Sequence, residues 1–186
     1  IAYLGPEGSF THQAAESRFG AMSEYMPISS IESVFESVET GRARFGVIPI
    51  ENNQEGVVVE TIDLLGQTEL KIAAEIPLSI HFAFGTREDN PVNVKKIYSK
   101  DIAFKQCRKF LNESFNGNKP ELIPVNSTSK AAKLAMEEDG AAALCPHIAA
   151  RLNNLHILFD NVEDSEDNFT RFLIISKDFV NGKSGN

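Results

Sequence analysis

The chain has 186 residues, of which 42% are hydrophobic and 24% charged, a composition typical of a globular protein with a sizeable core. Its net charge of −8 and the lack of a basic run argue against nucleic acid as a partner. No stretch approaches the ~20 apolar residues of a membrane span, and no signal peptide is visible. We therefore expect a cytoplasmic protein that does not bind membranes.

The cysteine and histidine residues argue against a disulfide framework and against a metal site. Cys107 and Cys145 lie in apolar helical surroundings and are predicted to be small core residues. His12, His147 and His156 do not have the spacing of metal ligands. Because the chain also lacks a Gly-x-Ser-x-Gly elbow and a dinucleotide or phosphate-binding loop, we expect no metal and no cofactor.

The first part of the chain predicts alternating strands and helices. The predicted elements are a strand at 1–4, a helix at 11–19, a helix after a capping box of Ser29 and Glu32, a buried strand at 45–50, a helix at 57–65 and a strand at 71–75. Between the first strand and the first helix lies a turn at 5–10, in which Ser9 or Thr11 is the expected helix cap.

Beyond Pro77 the pattern changes and then alternates again. The predicted elements are a period-two strand at 80–84, a strand at 97–99, one long helix capped by Asp101, a strand at 122–125, a helix opened by Ser127, a strand at 141–144, a helix from Pro146, a strand at 156–159 and a last strand at 169–176. The acidic run 163–167 is predicted to be a solvated loop.

This alternation predicts an α/β protein with mainly parallel sheets. The breaks at Pro77 and in the acidic run suggest two lobes, one formed by 1–76 with 168–178 and the other by 77–160. The polar tail 181–186 is expected to be a linker. In such folds ligands bind beyond the carboxyl ends of the strands.

Two junctions between a strand and a helix are candidates for binding an anion. The turn 5–11 and the run 126–129 both precede a helix, whose first N–H groups attract negative charge. Ordinary helix capping explains these residues equally well.

Two further segments place polar side chains after buried strands. The run 49–56 begins as a buried strand and ends in amides and glycine, which suits either hydrogen bonding in a cleft or an Asx turn. Ser99 follows another strand, and Gln106 lies seven residues further on. His81 alternates with apolar residues and is expected to be a core or supporting residue.

The most informative segment is 168–172, which precedes the apolar run 173–175. It places a hydroxyl, Thr170, beside a guanidinium, Arg171, at the start of a buried strand. Since neighbouring side chains on a strand point to opposite faces, both can serve one site only at a strand end or bend. A hydroxyl that can donate a proton, beside a guanidinium that can bind a carboxylate, suits an enzyme that eliminates water from an organic acid.

Together and in this order, the segments resemble the catalytic domain of prephenate dehydratase. The resemblance rests on 3–12, 49–52 with 55–56, 98–99 with 106–107, 126–128 and 170–172, and spans residues 1–180. It implies a two-lobed α/β fold like type II periplasmic binding proteins, with the active site in the cleft between the lobes. It also implies a lyase of phenylalanine biosynthesis, which converts prephenate to phenylpyruvate, water and carbon dioxide.

The resemblance also implies the site residues, by matching position. The implied catalytic residues are Thr170, Asn52, Ser99 and Gln106, and the implied substrate-binding residues are Arg171, Ser9, Phe10, Thr11, Glu51, Ser127, Thr128 and Phe172. The chain departs from the family pattern at Asn53, where Ser is usual, and at 100–102, where His-Pro-Gln is common.

For the whole protein, the resemblance implies a homodimer and a C-terminal ACT domain that senses phenylalanine, and leaves open a preceding chorismate mutase domain. Two alternatives remain. One is a dehydratase acting on arogenate, which differs from prephenate by an amino group. The other is a non-catalytic two-lobed module that binds an aromatic acid.

Overall fold

The computed structural model describes residues 1–117, 119–165 and 167–178. The strands are β1 Ala2–Leu4, β2 Met26–Ile28, β3 Phe45–Asn52, β4 Gly56–Val57, β5 Lys71–Ser79, β6 Ala83–Thr86, β7 Lys96–Ser99, β8 Glu121–Pro124, β9 Ala141–Cys145, β10 Ile157–Phe159 and β11 Phe169–Ser176. The helices are α1 Phe10–Phe19, α2 Ile31–Glu39, α3 Val59–Leu65, α4 Asp101–Gln106, α5 Arg108–Ser114, α6 Thr128–Glu137 and α7 His147–Leu152. None of these helices is long and apolar enough to cross a membrane.

The chain divides into two compact units. Among the described residues, the first contains 1–5, 14–78 and 169–178, and the second contains those of 6–13 and 79–168. Each unit has one sheet with helices packed on it, so the α/β class is confirmed. Both sheets mix parallel and antiparallel pairs.

The sheet of the first unit has the order β2-β1-β3-β11-β5, with β4 attached to β3. β1 is parallel to β2 and β3, and β11 is antiparallel to β3. Helix α2 covers this sheet with the buried side chains Ile31, Val34, Phe35 and Val38, which follow the predicted helical spacing. Residues 173–175 of β11 are buried as well, which confirms the predicted last strand.

The sheet of the second unit has the order β10-β6-β9-β7-β8. β7 is parallel to β8 and β9, whereas β6 is antiparallel to β9 and β10. Helix α6 packs on β9 through the fully buried Ala131, Ala132 and Ala135, whose small side chains permit close approach. Cys107 and Cys145 are free and buried, as predicted.

Two strand boundaries differ from the prediction. The strand expected to end before Pro77 continues to Ser79, because β5 is the edge strand of its sheet, where a proline need not break the hydrogen-bond ladder. The period-two strand expected at 80–84 is instead β6 at 83–86, and all four of its residues are buried. A strand in the middle of a covered sheet is apolar on both faces, so alternation was the wrong signal.

Two predicted helix caps are also wrong. Helix α2 is capped by Ser30, whose side chain accepts a hydrogen bond from the Ser33 N–H, and not by the pair Ser29 and Glu32. Asp101 is the first residue of α4 rather than its cap. The long helix predicted after it is interrupted at Cys107. The cap of α6 at Ser127 is confirmed by its hydrogen bond from the Lys130 N–H.

Candidate active site

The antiparallel pairing of β3 with β11 brings the predicted catalytic residues Asn52 and Thr170 directly opposite each other. Asn52 Nδ2 donates a hydrogen bond to Thr170 Oγ1 at 2.8 Å and another to the Phe169 carbonyl at 3.2 Å. Because the hydroxyl oxygen of Thr170 accepts this bond, its own hydrogen remains available to donate. Thr170 is half-buried, so the pair lies at the edge of the core.

The turn after β3 fixes the orientation of the Asn52 amide. Its Oδ1 accepts hydrogen bonds from the Gln54 and Glu55 N–H groups, both at 2.9 Å. An amide whose oxygen is held by two backbone donors must present its nitrogen to Thr170. Asn53 joins the same turn to β11, because its Oδ1 accepts from the Phe169 N–H at 2.9 Å.

Arg171 is bonded to two carboxylates of its own chain. Its Nε and Nη2 donate to the two oxygens of Glu75 at 2.7 and 2.8 Å, and its Nη1 donates to Glu51 at 2.8 Å. Hydrogen bonding to Glu75, and to a smaller extent to Glu51, raises the pKa of Arg171 above its ordinary value. The same hydrogen bond lowers the pKa of Glu75.

Thr170 and Arg171 are directed to opposite faces of the sheet. Residues directly across an antiparallel pair share a face, and here Thr170 pairs with Asn52 while Arg171 pairs with Glu51. The register of β11 shifts only between Arg171 and Phe172, one residue too late to bring hydroxyl and guanidinium to one face. The sequence suggested that the Arg171 guanidinium and the Thr170 hydroxyl serve one site, but in the structure they lie on opposite faces of the sheet.

In the second unit, the two predicted anion-binding turns lie against each other. Gly8 has a φ of 78°, and a Cβ there would be 3.1 Å from Ser129 Oγ and 3.2 Å from the Ala149 Cα. The turn before α1 thus contacts the first turn of α6, and only glycine permits this approach. Ser9 caps α1, because its Oγ accepts from the His12 N–H at 3.2 Å.

Several implied substrate-binding residues expose little surface. Thr11 is 6% exposed, Thr128 is 8% exposed and Phe172 is 2% exposed. Phe10 is half-buried and packs edge-on against Phe82, with ring centroids 5.3 Å apart. For Phe172 this burial favours a packing role.

The other two implied catalytic residues lie in the second unit, Ser99 at the end of β7 and Gln106 at the end of α4. Ser99 is fully buried, and its hydroxyl donates to the Leu144 carbonyl of β9 at 2.6 Å. Its proton is thus committed to the backbone. Gln106 is the last residue of α4, and its carbonyl accepts from the Asp164 N–H at 2.6 Å.

Among the described residues of the acidic run, Ser165 and Asp167 are exposed loop residues, as predicted, whereas the Glu163 side chain is not solvated. The Glu163 side chain is 3% exposed, with one oxygen 2.6 Å from His81 Nδ1 and the other accepting from the Phe82 N–H at 2.9 Å. Asp164 accepts from the Lys109 N–H at 2.8 Å. Phe82 is buried, so its N–H requires a partner, and the Glu163 carboxylate supplies it. The acidic composition of the run does not reveal this role.

Sequence reasoning also missed Glu75, which the register of β5 places beside Arg171 although 96 residues separate them. No local pattern in the sequence indicates this contact, because it depends on β5 lying next to β11 in the sheet. Within the described residues, no group of three or more His, Cys, Asp or Glu side chains is arranged to hold a metal ion. A cavity of about 280 Å³ beside Lys109 and Phe159 contains none of the implied site residues.

The fold and these contacts define an α/β protein with a threonine–asparagine pair where two antiparallel strands meet. The sequence model of the prephenate dehydratase family matches residues 1–179. The chain belongs to this family, and the resemblance read from its motifs is confirmed.

Three comparisons place the chain more closely. The bifunctional chorismate mutase/prephenate dehydratase of Aquifex aeolicus is 45% identical over 177 residues, which cover 95% of this chain and 48% of that protein. The structure of prephenate dehydratase from Arthrobacter aurescens in complex with L-Phe is 30% identical, with a TM-score of 0.82 over 96% of this chain and 60% of its own. The structure of GqqA, described as a novel type of quorum quenching acylase, is 26% identical, with a TM-score of 0.83 over 97% of this chain and 64% of its own.

The chain spans about half the length of the curated relatives that it matches first. One of the similar structures carries the name of a different activity. Because one fold can support several functions, the activity of this chain has to be argued from its site.

Proposed function

We propose that this chain is a prephenate dehydratase, a carbon–oxygen lyase that converts prephenate to phenylpyruvate in phenylalanine biosynthesis. The observation that carries the proposal is the hydrogen bond from Asn52 to Thr170, at 2.8 Å. It joins two of the four residues that the family resemblance implies for catalysis. Membership of the prephenate dehydratase family supports the substrate.

The reaction needs one hydrogen-bond donor at the departing hydroxyl. The ring carboxylate of prephenate leaves as carbon dioxide, and the electron pair of the broken carbon–carbon bond completes the aromatic ring as the ring hydroxyl departs. The hydroxyl departs as hydroxide, which takes up a proton from the solvent and so becomes water. Thr170 can donate to it, and the bond that Thr170 accepts from Asn52 polarises its O–H group and makes it a better donor.

A threonine hydroxyl is a weak acid, so its contribution is a strong hydrogen bond rather than complete proton transfer. Positioning and oriented dipoles then supply most of the rate, since aromatisation itself drives the reaction. Ser99 and Gln106 complete the proposed catalytic set. Because Ser99 already donates to Leu144, its oxygen can only accept, whereas the Gln106 amide can both donate and accept.

The two carboxylates of prephenate require positive potential. The contact of Gly8 with Ser129 places two helix N-termini side by side, and we assign Ser9, Phe10, Thr11, Ser127 and Thr128 to carboxylate binding. We also include Glu51 and Arg171 in the proposed site. They are hydrogen-bonded to each other and are the sequence neighbours of Asn52 and Thr170.

Further proposals concern the whole protein. We infer that it is a cytoplasmic homodimer with a regulatory ACT domain beyond this chain, and that it needs no cofactor. The relatives' greater length supports an additional domain, and the L-Phe in the Arthrobacter aurescens structure supports phenylalanine as its ligand.

The test is phenylpyruvate formation by the chain from prephenate, with arogenate assayed in parallel for phenylalanine formation. We expect turnover of prephenate and at least tenfold lower kcat/KM for arogenate. Preferential turnover of arogenate would support the alternative dehydratase. Binding of prephenate without turnover of either compound would contradict the proposal and support a binding module.

A further inference from the structure

Arg171 ties three adjacent strands together at one end of β11. The sheet order places β11 between β3, which carries Glu51, and β5, which carries Glu75. The guanidinium grips Glu75 through two nitrogens and Glu51 through a third, at 2.7 to 2.8 Å. A bidentate arginine–carboxylate pair fixes direction as well as distance.

These contacts leave Arg171 poorly suited to binding the substrate. Two carboxylates, those of Glu51 and Glu75, surround one guanidinium. The three side chains together carry a net charge of −1 and would repel a dianionic substrate. The cross-strand pairing also directs Arg171 away from the face on which Thr170 meets Asn52.

Thr170 occupies a position that needs such support. It is the second residue of β11, and the regular pairing with β3 is interrupted just after Arg171. Strand ends open more readily than strand centres, yet a catalytic hydroxyl has to be held within about 0.5 Å of its working position. Glu75 holds the residue next to Thr170 from the far side.

We propose that Glu75, Arg171 and Glu51 form a clamp that positions the Thr170 hydroxyl, and that Glu75 is a positioning residue for the dehydration. Arg171 then acts through Thr170 rather than by binding a substrate carboxylate. The inference rests on the proposed function for its kinetic consequence, but its structural consequence can be measured separately.

The test compares Glu75→Gln with Glu69→Gln, a matched control that removes the same charge from an exposed residue just before β5. We expect Glu75→Gln to lower kcat about tenfold with KM for prephenate within twofold, because misplacement of a catalytic group affects the transition state. We also expect the Phe169 and Asn53 amides, which bond across the same strand end, to exchange hydrogen about tenfold faster. Glu69→Gln should match the wild type in both measurements.

Arg171→Lys supplies a second test, since it keeps the charge and removes the fork. We expect it to lower kcat as much as Glu75→Gln does, and the double variant to lose little more than either single variant. If Arg171 instead bound a substrate carboxylate, Glu75→Gln would lower KM by removing a competing carboxylate, and Arg171→Lys would raise KM about tenfold at unchanged kcat. Either result would overturn the clamp.

The failure of the clamp is distinguishable from the failure of the proposed function. If the wild-type chain does not convert prephenate, the function is wrong, and amide exchange alone decides the clamp. Faster exchange in Glu75→Gln would then support it, and exchange equal to that of Glu69→Gln would overturn it.

Discussion

At the residue scale, the proposed catalysis depends on the orientation of the Asn52 side-chain amide. The Asn52 side-chain oxygen accepts hydrogen bonds from two backbone N–H groups, and its nitrogen donates to the Thr170 hydroxyl. A carboxylate of the same size would keep the turn but could not donate to Thr170. It would accept the hydroxyl proton instead and so compete with the substrate.

Asn52→Asp is therefore expected to remain folded and to lower kcat for phenylpyruvate formation by about 10²-fold or more, the usual range for one positioned acid or base group. Steady-state kinetics with a thermal melt of each variant would check this. Asn90→Asp is a suitable control, because the Asn90 side chain also accepts a backbone N–H in a turn and has no proposed role in catalysis. Equal activity of both variants would show that the orientation of Asn52 is unimportant.

At the element scale, the core of the first unit depends on how closely α2 approaches β3 and β11. Gly46 of β3 makes this approach possible: a Cβ there would lie 2.8 Å from Ile175 Cγ1 and 2.9 Å from Val34 Cγ1. Both neighbours are fully buried, so they have little room to move.

Gly46→Ala should destabilise the protein by about 1–3 kcal/mol, the usual cost of overpacking a core. Gly66→Ala is the control, because a Cβ there would meet no atom closer than 3.5 Å and the backbone φ is −71°. Urea unfolding of both variants would measure the difference. A free energy of unfolding as high for Gly46→Ala as for Gly66→Ala would mean that the helix–sheet contact is looser than described.

The sequence predicted elements whose cause is local and missed those whose cause lies elsewhere in the fold. Strand β11 was predicted over its full length because 173–175 form an apolar run that has to be buried. The continuation of β5 through Pro77 depends on its place at the sheet edge, which no local pattern encodes. Ser29 and Ser30 are adjacent and chemically identical, so the sequence does not distinguish them as helix caps. The backbone conformation makes Ser30 the cap of α2.

The candidate site shows the same limit. The motif at 170–172 lies in β11, where Thr170 pairs with Asn52, another of the implied catalytic residues. The partners of Arg171 depend on the register of three strands, so its pairing with Glu75 was not visible in the sequence. Strand geometry predicted opposite faces for Thr170 and Arg171 unless the strand bends, and only the structure shows that the register shifts after Arg171. The burial of Glu163 under His81 likewise requires contacts between residues 82 positions apart.

At the scale of the whole molecule, acidic groups are in excess, and some depend on ionic partners. Hydrogen bonding to Arg171 lowers the pKa of Glu75, and hydrogen bonding to Lys96 and Tyr98 lowers that of Glu138, both from an ordinary 4.5. A carboxyl whose pKa is lowered by folding stabilises the protein above its unfolded pKa, and this contribution is lost as the pH falls through the folded pKa.

Stability should therefore decrease as the pH falls from about 5 to about 3, because the unfolded chain then binds more protons than the folded one. The decrease should be smaller in a variant that combines Glu75→Gln with Glu138→Gln. Urea midpoints across this pH range would check the prediction, with Glu69→Gln as the control for charge. An equal loss of stability in the wild type and the double variant would contradict the role of these two groups.

In the proposed reaction, the Thr170 hydroxyl, held by Asn52, assists the departure of the ring hydroxyl of prephenate. This role is tested most directly by the rate of phenylpyruvate formation by Thr170→Val and Thr170→Ser under saturating prephenate. Valine keeps the shape without the hydroxyl and should reduce the rate by about 10²–10⁴-fold, whereas serine should retain a substantial part of it. Full activity of a folded Thr170→Val variant would contradict the account.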